Sequence, residues 1–175
     1  MKKSQRFLLM LLSAMLAAVL YIIFHELGHL IVMLSAGETI VEFSIITAHV
    51  SGTGGDYTDL SALWLHANGA LLPILVSYIY MLFYKSSSEK SFYRFFSYMV
   101  VLIPMASVLA WVVVPFMYVG ENAPAGDDVT NFLHTFSQYF HPLIVSAVAV
   151  IIIGIGIVLM VKRRILGNFI AEIRL

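Results

Sequence analysis

The sequence predicts an all-α integral membrane protein of about four transmembrane helices, with a short β segment after the first helix. Two observations carry that expectation. Apolar residues make up 61% of the 175-residue chain and charged residues 11%, against roughly 45–50% and 25% in a soluble globular domain, so the solvent this composition suits is lipid. Four apolar stretches, 7–36, 61–84, 95–119 and 142–161, are each long enough to cross a hydrocarbon core, which takes about 20 helical residues. Backbone amides in lipid must be satisfied within their own segment or in a closed barrel, and these runs lack the alternation of barrel strands, so helices are predicted. The chain has no internal repeat and is read as one domain over 1–175, with outer loops at 37–60 and 120–141.

Ten Lys and Arg balance ten Asp and Glu, so no overall field attracts nucleic acid, and nucleic-acid binding is not expected. Cysteine is absent, which excludes disulfides, iron–sulfur clusters and thiolate metal sites. Any metal site must use His, Asp and Glu.

The first helix follows Lys2, Lys3 and Arg6. A basic start ahead of an apolar run with Ser13, Ala14 and Ala17 also fits a cleavable secretory signal. The apolar character, however, continues through Tyr21, Ile22, Ile23 and Phe24, so a retained helix is expected. Lys85, Lys90 and Arg94 lie between the second and third helices, and Lys162, Arg163, Arg164 and Arg174 follow the fourth. The two other connections hold no Lys or Arg but carry Glu38, Glu42, Asp56, Asp59, Glu121, Asp127 and Asp128. Cytoplasmic loops collect basic residues, so the expected location is a cell membrane, prokaryotic by preference, with both termini cytoplasmic. The stretch from Glu38 to Val50, rich in Val, Ile, Thr and Phe, reads as one or two short strands, with Gly52, Gly54 and Gly55 as turn residues. Besides covering the membrane part, such a strand offers a free edge to an extended peptide.

Chemistry is concentrated in His25-Glu26-Leu27-Gly28-His29. On a helix, His25 and His29 stack on one face, so two imidazoles can reach one tetrahedral ion. Glu26 sits one position round, where it can take a proton from a water in the open coordination site. Three ionisable residues in five, inside an apolar helix, are costly without partners or a function. Helix-packing polar groups would be the plain alternative.

These residues, with Leu30 to Ala36, Gly37 and Val41-Glu42-Phe43-Ser44-Ile45, resemble the core of the site-2 protease family of intramembrane zinc metalloproteases. The likeness covers about one quarter of the chain. It implies zinc as cofactor, Glu26 as catalytic base, and a third metal ligand, an Asp, from a later segment. Gly126-Asp127-Asp128 resembles the Gly-x-Asp form of some members, so Asp128 is the expected ligand, with Asp127 as the alternative. The same two residues could cap a helix beginning at Val129, and His66 or His134 could replace the carboxylate. Charge-derived topology agrees with an outer-loop ligand: eighteen helical residues from Phe7 rise about 27 Å and bring His25 near the outer boundary of a core about 30 Å thick.

Family members often carry Gly-Pro followed by Asn in their second helix. The run His66-Ala67-Asn68-Gly69 departs from that pattern, leaving Asn68 either to position substrate by a hydrogen bond or to join helices, with Gly69 allowing close approach. His49, His66, His134 and His141, in or beside the outer connections, are expected as ordinary half-exposed residues, with metal ligation the exception. Trp64, Tyr118, Tyr139 and Phe140 suit a membrane-interface belt.

The expected activity is hydrolysis of peptide bonds in or near transmembrane segments of membrane protein substrates. The alternative is a non-catalytic membrane metal-binding protein: a carrier, sensor or scaffold. Expected partners are the substrate, the lipid bilayer and a regulatory membrane protein that would contribute selectivity.

Overall fold

The computed structural model describes residues 2–174. Its elements run α1 (Lys3–Ser35), β1 (Thr39–Ser44), β2 (His49–Thr53), α2 (Asp59–Phe83), α3 (Ser91–Val119), α4 (Asp128–Phe136), α5 (Leu143–Lys162) and α6 (Ile165–Arg174). Four of these, α1, α2, α3 and α5, are long and apolar enough to cross a membrane. Their most apolar windows have mean hydropathies of 2.7, 1.4, 2.4 and 3.1; α2 is lowest because it carries His66 and Asn68. Large apolar side chains remain exposed along α1 and α5, among them Leu8, Leu12, Met15, Val148, Ile151 and Ile155. An exposed band of this extent suits contact with hydrocarbon rather than water.

The four long helices alternate in direction, so the hairpin and α4 share one end of the bundle while α6 and the 84–90 connection share the other. All ten basic residues fall at or near the α6 end. Helix α1 packs on α2 and α3, α3 packs on α5, and α2 and α5 meet only narrowly. The main core joins Ile74 and Met81 of α2, Val101, Met105 and Val108 of α3, Ala149 and Met160 of α5, and Ile165 of α6. A second cluster of Val114, Val129, Leu133 and Val145 seats α4 against α3 and α5.

Helix α1 closes with the bonds of a Schellman turn, from Glu38 N–H to Met33 O at 3.0 Å and from Gly37 N–H to Leu34 O at 3.2 Å. Gly37 takes φ +80°, the left-handed conformation such a turn needs. The chain then enters β1, which pairs antiparallel with β2. Strand β1 thus falls within the expected 38–50 stretch, whereas β2 runs beyond it to Thr53 and the reversal differs. It is made by residues 45–48, with Ala48 at φ 48°, whereas Gly52, expected in a turn, lies within β2 opposite Ile40.

Two short helices add to the expected four. Helix α4 was anticipated only as the consequence of an Asp cap. Helix α6 is not among the expected elements, which end with the fourth helix at residue 161. It folds back on α3 because one face is Ile165, Phe169 and Glu172. The Phe169 ring stacks on Tyr98 with centroids 3.7 Å apart, and the buried Glu172 carboxylate accepts from Ser91 Oγ at 2.6 Å and Arg94 Nη1 at 3.2 Å.

Candidate metal centre

His25, Glu26 and His29 lie on α1 facing α2, and the close approach of the two helices depends on glycine. A Cβ at Gly28 would collide with the Asn68 carbonyl oxygen. One at Gly69 would press on the His29 imidazole and come within 2.9 Å of His25 Cε1. Asn68 fastens the same crossing, its Nδ2 donating to Gly28 O at 2.8 Å. That is the helix-joining role. Asn68, expected as a substrate-positioning residue, gives one of its N–H groups to this packing and is not part of the cleft lining.

The two imidazoles converge with His25 Nε2 and His29 Nε2 3.2 Å apart. Asp128 Oδ2 completes the group, 3.4 Å from His25 Nε2 and 3.2 Å from His29 Nε2. Three donors each about 2.0–2.1 Å from one ion, at three corners of a tetrahedron, would be spaced about 3.3 Å apart. The triangle therefore has the size a zinc-like ion requires, and His25, His29 and Asp128 are the residues that could hold one.

Proton positions agree. His29 Nδ1 lies 2.8 Å from the Leu65 carbonyl oxygen, which can only accept, so Nδ1 carries the hydrogen and Nε2 presents its lone pair to the centre. His25 Nδ1 lies 3.5 Å from the Tyr21 hydroxyl.

Asp127 and Asp128, adjacent in sequence, have different tasks. Asp127 is the N-cap of α4: its Oδ1 accepts from Val129 N–H at 2.9 Å and Thr130 N–H at 3.1 Å, and its Oδ2 accepts from Thr130 Oγ1 at 2.6 Å. The alternative that made Asp127 the ligand therefore gives way to Asp128, because both Asp127 oxygens are engaged. Burial pushes the Asp128 carboxyl up, but the imidazoles of His25, His29 and His66 outweigh it and hold it well below the usual carboxylate range.

His66 is not a third ligand in this arrangement. It sits behind the carboxylate, its Nδ1 3.5 Å from Asp128 Oδ1. His134 is directed elsewhere, its Nδ1 3.3 Å from the Tyr118 hydroxyl.

The donors open into a cleft of about 460 Å³ bounded by α1, the hairpin, α2 and the start of α4. Glu26, only 3% exposed, is in its wall with Glu38, His49 and Tyr57. Four carboxylates and no Lys or Arg line this space. Burial, followed by the neighbouring Glu38 carboxylate, raises the Tyr57 hydroxyl above its ordinary value. Neither the Leu65 carbonyl nor the partnership of His66 with Asp128 was anticipated. A backbone acceptor leaves no mark in sequence, and the sequence offers His66 as an ordinary half-exposed residue or a replacement ligand, not as a partner of the carboxylate.

Comparison with protein-family models, curated proteins and solved structures returns no match.

Proposed function

We propose that this protein is an intramembrane zinc metalloprotease that hydrolyses peptide bonds in or near the transmembrane segments of membrane proteins. The observation that carries the reading is the triangle of His25 Nε2, His29 Nε2 and Asp128 Oδ2, with sides of 3.2–3.4 Å, in a cleft that Glu26 also lines. Three protein ligands that leave a fourth position open are the pattern of catalytic rather than structural zinc.

When bound, zinc would polarise the scissile carbonyl and make a water more acidic. Glu26 is then the base that accepts the proton of the attacking water and returns it to the leaving amine. The hairpin borders the same cleft through Ala48, His49 and Val50. A two-stranded sheet leaves free edges, so an extended substrate segment can pair with the hairpin by main-chain hydrogen bonds. Such pairing compensates the bonds a helical substrate loses when it is drawn out to expose its carbonyl.

The gathering of all ten basic residues at the α6 end supports a cytoplasmic location for both termini, with the proposed site toward the opposite face.

The test measures zinc content and cleavage of a panel of single-span peptides by purified protein beside its Glu26→Gln variant. Expected are about one zinc per chain in both, cleavage by the wild type, and a loss of at least about a hundredfold in the variant. Zinc bound without cleavage of any peptide would favour a carrier, sensor or scaffold. Full activity in Glu26→Gln would remove Glu26 as the base.

A further inference from the structure

One turn of α2 borders the centre without supplying a ligand. Within it, Leu65 accepts from His29 Nδ1 at 2.8 Å, His66 Nδ1 lies 3.5 Å from Asp128 Oδ1, and Gly69 leaves the space the two imidazoles fill. Two of the three candidate donors thus meet adjacent residues of a helix that supplies none.

From this we infer that His66 is a positioning residue for Asp128: it holds Oδ1 so that Oδ2 alone faces His25 and His29. The inference rests on the metal-centre reading above and deepens it.

The physical need is specific to a carboxylate. Its two oxygens are equivalent, and a free side chain can rotate to offer either or both to a cation. Asp128 stands at the first turn of α4, 28% exposed, so burial alone does not restrain that rotation. The neighbouring Asp127 is engaged with Val129 and Thr130. The imidazole of His66, 23% exposed, is what stands against Oδ1. A carboxylate can only accept, so the proposed hold on Oδ1 requires that His66 Nδ1 carry hydrogen toward it. A carboxylate held at one oxygen presents a single donor and leaves room at the centre for water and substrate. One that swings to offer both oxygens fills that room. Partners of this kind commonly alter metal affinity by about 10–100-fold.

The test is zinc affinity, measured by competition with a chromophoric chelator on full-length protein in detergent, together with the visible spectrum of the Co²⁺ form. His66→Ala should weaken zinc binding about 10–100-fold. It should also dim the cobalt bands, as a second Asp128 oxygen raises the coordination number. His66→Asn places an amide N–H where Nδ1 stands and should restore both affinity and spectrum. His66→Gln, whose amide reaches toward the Nε2 position instead, should restore neither.

Wild-type affinity and spectrum in His66→Ala would overturn the inference while leaving the metal centre standing. Equal behaviour of the Asn and Gln variants would overturn it too, and that comparison holds even if the Ala variant fails to fold. A wild-type protein that binds no zinc would overturn both the centre and the inference.

Discussion

The Nδ1 of His29 lies 2.8 Å from the carbonyl oxygen of Leu65, 36 residues away on the next helix. This one bond sets the tautomer of His29 and ties the candidate metal centre to the α1–α2 crossing. Anything that moves the crossing should therefore be read out as metal affinity.

Gly69→Ala tests that coupling. The added methyl would meet the imidazoles of His29 and His25, so zinc affinity should fall by at least about tenfold, while overpacking lowers stability by about 1–3 kcal/mol. Gly28→Ala should destabilise similarly, because its obstacle is the Asn68 backbone, which cannot swing aside. Zinc titration and thermal unfolding in detergent measure the two effects. An unchanged affinity in Gly69→Ala would show that the imidazoles do not depend on the close approach.

Adjacent carboxylates should separate cleanly. Asp128→Ala removes a candidate donor and should abolish most zinc occupancy. Asp127→Ala removes the α4 cap and should lower stability by about 1 kcal/mol with a smaller effect on zinc. Equal occupancy in both variants and wild type, measured by elemental analysis, would rule out either as a ligand.

Metal removal should loosen the end of the bundle where α1 and α4 meet. A ligand that binds only the folded form, present at about 100 times its Kd, stabilises by about 2.7 kcal/mol. Wild-type protein should therefore melt earlier after chelation and recover on adding zinc. The His25→Ala, His29→Ala double variant should show no response to either treatment.

The opposite end supplies a control. Glu172→Ala leaves Arg94 without its partner in a mostly buried pair and should cost on the order of 3 kcal/mol. Zinc affinity should be unchanged, since α6 lies at the far end of the bundle from His25. A parallel loss of zinc would mean the two ends are coupled through α3.

Legibility in the sequence followed the range of the interactions. The long helices were readable because lipid demands about 20 apolar residues in a row, and that demand is written consecutively. His25, Glu26 and His29 were readable because helical geometry alone brings positions four apart onto one face. Helix α6 escaped notice since it is only ten residues long and is held by Phe95, Tyr98 and Arg94 of α3, contacts that local pattern does not announce. Asn68 was legible only as a choice between two roles; the partner that selected one, Gly28 O, is 40 residues distant.

By itself, then, the amino-acid order determined the lipid-suited composition, four spans and a pair of imidazoles on one helical face, all of which follow from spacing within a segment. Only the tertiary structure decided between Asp127 and Asp128, turned His66 from candidate ligand to neighbour of the carboxylate, and brought Leu65 against His29. Each of those outcomes depends on how α1, α2 and α4 cross. The crossing is determined by packing among residues tens of positions apart, where small shifts of backbone decide which atom meets which.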